Sequence, residues 1–340
     1  MPADSSVALD TSCKCPRDKV DKGPGKNLVV CIDGTSNKYC AQNTNIIELY
    51  NEMMKNDNQL MYYNSGVGTY AKGHTHWMKQ VVSVFDLAFA FNISQTIMDA
   101  YRWLSDQYSD GDKIFLFGFS RGAYQVRALA GMIHEVGLIL PGNTEQIPYA
   151  FELYSAINSG KDEDQKLAAG FKSTFSRQRV VTHFVGVWDT VLSVGIRKEN
   201  ILPSTDTCGH ICYFCQALAL DERRVKFLPK YVYGGISDRS KSKSVQIPED
   251  EHHVKEVWFA GSHSDMYVSS APEGYHMPLL WMHEEAFEAG LSFNPPKVAF
   301  KSEDLKQSKI TNSLTLLWWA LEILPTRRLH YNNSNQHTHL

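Results

Sequence analysis

With 340 residues, 43% hydrophobic and 21% charged, the chain has a globular composition and enough apolar material for a large core. The formal net charge of −3 offers no basic field, so no nucleic-acid partner is expected. Seven cysteines, an odd number in a long chain, argue against a disulfide framework.

Residues 1–26 are polar and lack the apolar core of a secretory signal, which predicts a disordered leader and a cytoplasmic location. The first apolar run, Asn27–Ile32, reads as a strand ending at Asp33-Gly34-Thr35. A helical pattern follows at Thr44–Met54. Gln59–Asn64 reads as the second strand. From about Phe91 to Gln107, Ile93, Ile97, Ala100, Tyr101 and Leu104 recur at helical intervals. Lys113–Gly118 is the third strand and runs through Phe119-Ser120-Arg121-Gly122 into a helical pattern reaching Val136.

The polar segment Gly160–Ser176 reads as a surface excursion. Arg179–Val187 is the fourth strand, ending in Trp188-Asp189-Thr190, and Glu256–Ala260 is the fifth, ending in Gly261-Ser262-His263. Asn200–Thr207 and Ser237–Glu251 read as loops. Helical patterns follow at Leu279–Ala289 and Ser313–Leu324. The apolar stretch Leu314–Leu324 is interrupted by Glu322 and stopped by Pro325, well short of the about 20 residues a membrane span needs. It reads as a packed helix, with peripheral lipid contact as the sharper alternative. Residues 329–340 read as a polar tail.

Strands alternating with helices, and apolar along their whole length, predict an α/β fold. It has a mostly parallel sheet with helices on both faces, in a single domain over 27–328. Asp33, Ser120, Asp189 and His263 each follow the end of a predicted strand. In such sheets ligands bind outside the carboxyl ends of the strands.

Gly118-Phe119-Ser120-Arg121-Gly122 matches the G-x-S-x-G pattern between a strand and a helix, the context in which the serine is a nucleophile. The alternative is a glycine-rich turn with Ser120 as a helix cap. A serine hydroxyl needs a base to take its proton. The chain order Ser120, Asp189, His263 is that of α/β-hydrolases, with His263 as base and Asp189 orienting it. Asp265 and Asp221 are the competing acids, and Asp189 has the alternative of capping its own turn. His263 has the alternative of a solvent-facing loop position. His183 lies in a strand, and His252 and His253 in a charged loop. The backbone N–H of Arg121 is one expected oxyanion donor, and Gly34 or Thr35 the other. Asp33 would orient that loop, meet a cation, or form a plain Asp-Gly turn.

These residues, with Cys31–Thr35, Asn43–Asn45, Tyr63–Thr69, Gly111–Tyr124, Gly186–Val191, Ala217–Arg224, Val257–Asp265 and Leu279–Met282 in order, resemble a known family. It is the α/β-hydrolase domain of type VI secretion phospholipase effectors, and the chain resembles its fungal members. The resemblance implies ester hydrolysis, with phospholipids as one substrate class, and supports Ser120, Asp189 and His263. The chain departs from it twice. Gln216 stands where a histidine is usual, and Met266-Tyr267-Val268-Ser269 replaces a glycine-rich stretch.

Cys208, His210, Cys212 and Cys215 are dense in soft ligands, but their spacing is not that of a zinc site, and they read as thiols ahead of a helix expected from the resemblance. No cofactor or metal is expected. The expected substrate is an ester or lipid, cleaved through an acyl-enzyme on Ser120. The alternatives are a non-catalytic binding protein on the same scaffold, or an acyltransferase. No oligomeric state is specified.

Overall fold

A strand buried on both faces needs apolar side chains at nearly every position, and four of the described strands supply such runs. The computed structural model describes residues 25–34, 43–66, 81–177, 179–191, 201–224, 229–235, 253–266, 277–295, 313, 328–329 and 335–336. In chain order the elements begin β1 (Asn27–Ile32), α1 (Asn45–Glu52), β2 (Gln59–Asn64), α2 (Val81–Gln107), β3 (Lys113–Phe119) and α3 (Arg121–Val136). Next come β4 (Leu138–Ile139), α4 (Ile147–Ala156), α5 (Asp162–Phe175), β5 (Ser176–Arg177) and β6 (Thr182–Trp188). The last are β7 (Ile211–Ala219), β8 (Val254–Phe259), α6 (Met277–Glu288), β9 (Arg328–Leu329) and β10 (Asn335–Gln336).

The main sheet has the order β2-β1-β3-β6-β7-β8, and every neighbouring pair is parallel. The parallel sheet is the one expected from the alternation of elements, and its architecture is the α/β-hydrolase-like one that the resemblance implies. The chain places β2 on one side of β1 and then returns past β1 to lay β3 on the other. That reversal falls between β1 and β3, at whose carboxyl ends Asp33 and Ser120 lie, the place where ligands bind in open sheets of this kind.

On one face, Leu28, Val30 and Ile32 pack with Ile97, Tyr101 and Leu104 of α2, Val126 and Leu129 of α3 and Phe171 of α5. On the other, Val29 and Cys31 pack with Ile46 and Leu49 of α1 and with Leu279 and Met282 of α6. Each large apolar side chain so buried stabilises the fold by roughly 1.5–3 kcal/mol. No described helix is long and apolar enough to cross a membrane.

One expectation is refined and one corrected. Gly160–Ser176, expected as a surface excursion, is largely exposed but carries a helix, because Asp162–Phe175 forms α5. Asp162, Glu163 and Asp164 suit the positive end of that helix, and Ala168 and Phe171 anchor it. The Cys208–Cys215 segment leads not into a helix but into β7, a strand between β6 and β8. Ala217-Leu218-Ala219 favours helix intrinsically, but pairing on both sides overrides that preference. At the expected 329–340 tail, Leu329 pairs antiparallel with Asn335, and Arg328 just before it pairs with Gln336. Residues 1–24, the 237–251 loop and the Leu314–Leu324 stretch lie outside the described residues.

Candidate active site

Ser120 sits between the end of β3 and the start of α3 with φ 56° and ψ −117°. A side chain in that region costs on the order of 1–3 kcal/mol and persists only where the surroundings impose it. Here they do. A Cβ on Gly118 would lie 2.5 Å from the Gly122 carbonyl oxygen, and one on Gly122 would lie 2.2 Å from that of Ile32. The two glycines let β3, α3 and β1 approach closely enough to force the turn. The Ser120 N–H donates to Trp188 O at 2.9 Å, and its carbonyl accepts from Tyr124 and Val191 at 3.3 and 3.4 Å. Ser120 takes the N-cap position of α3, but its side chain makes no capping hydrogen bond.

Instead, Ser120 Oγ lies 2.9 Å from His263 Nε2. His263 Nδ1 lies 2.5 Å from Asp189 Oδ2. The imidazole is buried, which removes the solvent-facing alternative, and it stacks on Phe119 with ring centroids 4.9 Å apart. Asp189, fully buried, has φ 43°, a second non-glycine residue in the left-handed region. Its N–H donates to Ala217 O at 2.8 Å, and its Oδ1 accepts from Ala219 N at 3.3 Å. The carboxylate is thus aimed at the imidazole rather than at its own turn. A hydroxyl, an imidazole and a carboxylate joined in this order can move the hydroxyl proton onto Nε2 while the carboxylate steadies the resulting cation.

The competing acids lie elsewhere in the bonding. Asp221 Oδ2 accepts from Gly261 N at 2.7 Å. Asp265 Oδ2 accepts from Ser262 N at 2.8 Å and from Ser262 Oγ at 3.0 Å. Both shape the loop that carries His263. His183, in β6, bonds the Ala289 carbonyl at 2.8 Å, away from Ser120. His253 is buried beside β8 rather than in a charged loop, and His252 lies outside the described residues.

Asp33 is completely buried at the end of β1. Its Oδ1 accepts from Gly34 N at 2.7 Å, and its Oδ2 accepts from Thr44 Oγ1 at 2.6 Å and Tyr63 OH at 3.2 Å. Of the three readings, orienting the loop fits these bonds. The Gly34 N–H, expected as an oxyanion donor, is directed to Asp33 here. Thr35 lies outside the described residues. Thr44 also caps α1 by accepting from Ile47 N at 3.0 Å, so one hydroxyl joins that helix to Asp33. Arg121, the first residue of α3, is half-buried, and burial pushes its guanidinium down to about 10, still charged at neutral pH.

Sequence reasoning passed over Glu222. Its Oε2 accepts the backbone N–H of His263 at 3.1 Å, and both of its oxygens bond Arg224, at 2.9 and 2.8 Å. Burial pushes this carboxyl up, but the Arg224 side chain, the Arg224 backbone and the His263 N–H outweigh it and bring it down to about 2. The signal was present as Asp221-Glu222-Arg223-Arg224, but nothing local tied it to His263, 41 residues on.

Gln216 and Met266 lie in the framework, and Tyr267, Val268 and Ser269 lie outside the described residues. Met266 is fully buried in the core shared with α1 and α6, and its carbonyl accepts from Asn45 Nδ2 at 2.9 Å. Gln216 is buried in β7 and bonds Thr190, not Ser120. Cys212 and Cys215 are three apart on one strand, so their side chains leave opposite faces. Among the described residues no group of His, Cys, Asp and Glu is placed to hold a metal.

Fold and site together define a protein of the α/β-hydrolase type. Residues 26–285 match the catalytic domain of Tle1-like phospholipase effectors of type VI secretion systems, and the chain belongs to that family. An uncharacterized protein of Saccharomyces cerevisiae, YEL023C, is 37% identical over 218 residues, a stretch covering 60% of this chain and 32% of that protein. The chain therefore spans about a third of that relative's length. An uncharacterized protein of Pseudomonas aeruginosa superposes with a TM-score of 0.45 at 15% identity, over 84% of this chain and 49% of its own. A candidate carboxylesterase of Lactobacillus plantarum superposes at 0.40 and 11%, over 81% and 90%.

Proposed function

We propose that the protein is a serine hydrolase that cleaves carboxylic esters, phospholipids or other lipids among them, through an acyl-enzyme on Ser120. The continuous path from Ser120 Oγ through His263 to Asp189, at 2.9 and 2.5 Å, carries this reading. Ser120 Oγ attacks the ester carbonyl as His263 Nε2 takes its proton. Asp189, on Nδ1–H, keeps Nε2 as the acceptor and stabilises the imidazolium. The tetrahedral oxyanion lies at the start of α3, where the Arg121 backbone N–H and the positive helix end favour negative charge. Nε2 then returns the proton to the departing alcohol. Water, activated by the same imidazole, releases the acid and restores Ser120.

Phospholipids enter as a substrate class because the family is one of phospholipase effectors. The half-buried Arg121, next to the nucleophile, suits an anionic head group. The binding-protein alternative drew on Gln216 and Met266, and both belong to the framework.

A fluorophosphonate probe should label the protein at Ser120, and Ser120→Ala should abolish labelling and lower ester hydrolysis by at least about 10³-fold. Equal labelling of wild type and Ser120→Ala, read by mass spectrometry of the modified peptide, would remove Ser120 from the mechanism.

A further inference from the structure

On β7 and β8 a polar pair, Gln216 and Glu256, interrupts the apolar face on which Phe214 and Val254 join the core shared with α3. Gln216 and Glu256 are register partners on these strands, and Arg127 reaches them from α3. The Gln216 amide is fully satisfied. Its Oε1 accepts from Thr190 Oγ1 at 2.5 Å and from Arg127 Nη1 at 3.3 Å. Its Nε2 donates to Lys230 O at 3.1 Å and Glu256 Oε1 at 2.7 Å. Arg127 is fixed in turn by Thr205 O at 2.8 Å and Lys230 O at 2.7 Å. Glu256 also accepts from Val232 N at 3.0 Å. An amide with all four positions used has one orientation, and it presents a fixed acceptor to Thr190.

Thr190 follows Asp189, whose backbone is in the left-handed region. The turn is fastened at successive residues. Asp189 N donates to Ala217 O at 2.8 Å, Lys230 N donates to Thr190 O at 2.7 Å, and Val191 N donates to Ser120 O at 3.4 Å. Gln216 adds a side-chain tether from the strand beneath. A strained turn relaxes when its restraints are removed, and this one aims Asp189 Oδ2 at His263.

We propose that Gln216, acting through the Thr190 hydroxyl, is a positioning residue that holds the Asp189–Thr190 turn so that the carboxylate meets His263 Nδ1. This rests on the serine-hydrolase reading above. Removing the tether lets the carboxylate drift by a fraction of an ångström, enough to weaken its support of the imidazolium.

Thr190→Val keeps the branched shape and deletes only the hydroxyl, and Thr190→Ser returns it. The measurement is the rate of fluorophosphonate labelling at Ser120 per folded molecule across pH, beside kcat and KM on a short-chain ester. Thr190→Val should label about 10- to 100-fold more slowly, with kcat falling and KM holding. The midpoint of its acid limb should move to lower pH, since a less supported imidazolium loses its proton more easily. Thr190→Ser should restore most of the rate, and Gln216→Leu, if it folds, should reproduce Thr190→Val. A merely structural role gives a lower melting temperature with wild-type rate and midpoint, and that result overturns the proposal. Equal labelling of wild type and Ser120→Ala is a different outcome, because it removes the underlying hydrolase reading and this positioning role with it.

Discussion

The turn that carries Ser120 is held by steric contact, whereas the loop that carries His263 is held by carboxylates. Around Ser120, Gly118 and Gly122 bring three backbone segments so close that any Cβ would overlap a carbonyl oxygen. Around His263, Asp221 accepts from Gly261, Glu222 from His263 itself, and Asp265 from Ser262. Close packing of this kind contains no titrating group and tolerates no added atom. The carboxylate-held loop tolerates a change of side-chain volume better but depends on charge. The two sides of the candidate site should therefore fail under different insults.

The largest effect should come from crowding the first turn. Gly122→Val places a Cβ 2.2 Å from Ile32 O and drives β1 and α3 apart. Urea unfolding should show a loss of about 3 kcal/mol or a failure to fold, with labelling of Ser120 lost. A stable, fully labelled Gly122→Val would mean that close approach does not set this turn.

Glu222→Gln tests the other side. It keeps the shape and removes the charge that Arg224 and the His263 N–H recognise, and the labelling rate should fall about tenfold. Its pH dependence sharpens the contrast. Glu222 is held near 2 in the folded chain, below its ordinary value of 4.5. A carboxyl lowered by folding contributes stability that is complete above 4.5 and fades as pH falls towards 2. The urea midpoint of wild type should drop through that window, and that of Glu222→Gln should drop less. Parallel curves would show that the pair with Arg224 does not stabilise the loop. The smallest effect should follow Ser262→Ala, which deletes the Oγ bond to Asp265 but leaves the backbone one. About 1 kcal/mol is expected from thermal unfolding. A loss several times larger would make that hydroxyl a main support of the loop.

Much of the frame was legible. The apolar runs at Asn27, Gln59 and Lys113 are strands at those places, and the stripe from Ile93 to Leu104 is the buried face of α2. Both signals are local, since residues two or four apart decide them. α5 was hidden because its buried stripe is only Ala168 and Phe171, too narrow to stand out among charges. β7 was hidden because Ala and Leu favour helix, and pairing with β6 and β8 was not visible in one segment. Gln216 was noticed only as a departure from a pattern. Its four bonds come from α3, the Thr190 turn, the 230 loop and β8, none adjacent to it in the chain.

By itself, the amino-acid order determined the alternation of strand and helix and a glycine-flanked serine between the two. It also left three aspartates, Asp189, Asp221 and Asp265, chemically alike and each near a strand end. Only the tertiary structure decided that the first faces an imidazole while the others tie a loop. Conformational preference acts over a few residues, but a hydrogen bond acts over about 3 Å of space. Ser120 and His263 are 143 positions apart, and Asp189 and His263 are 74 apart. Sheet order alone brings those groups to one rim.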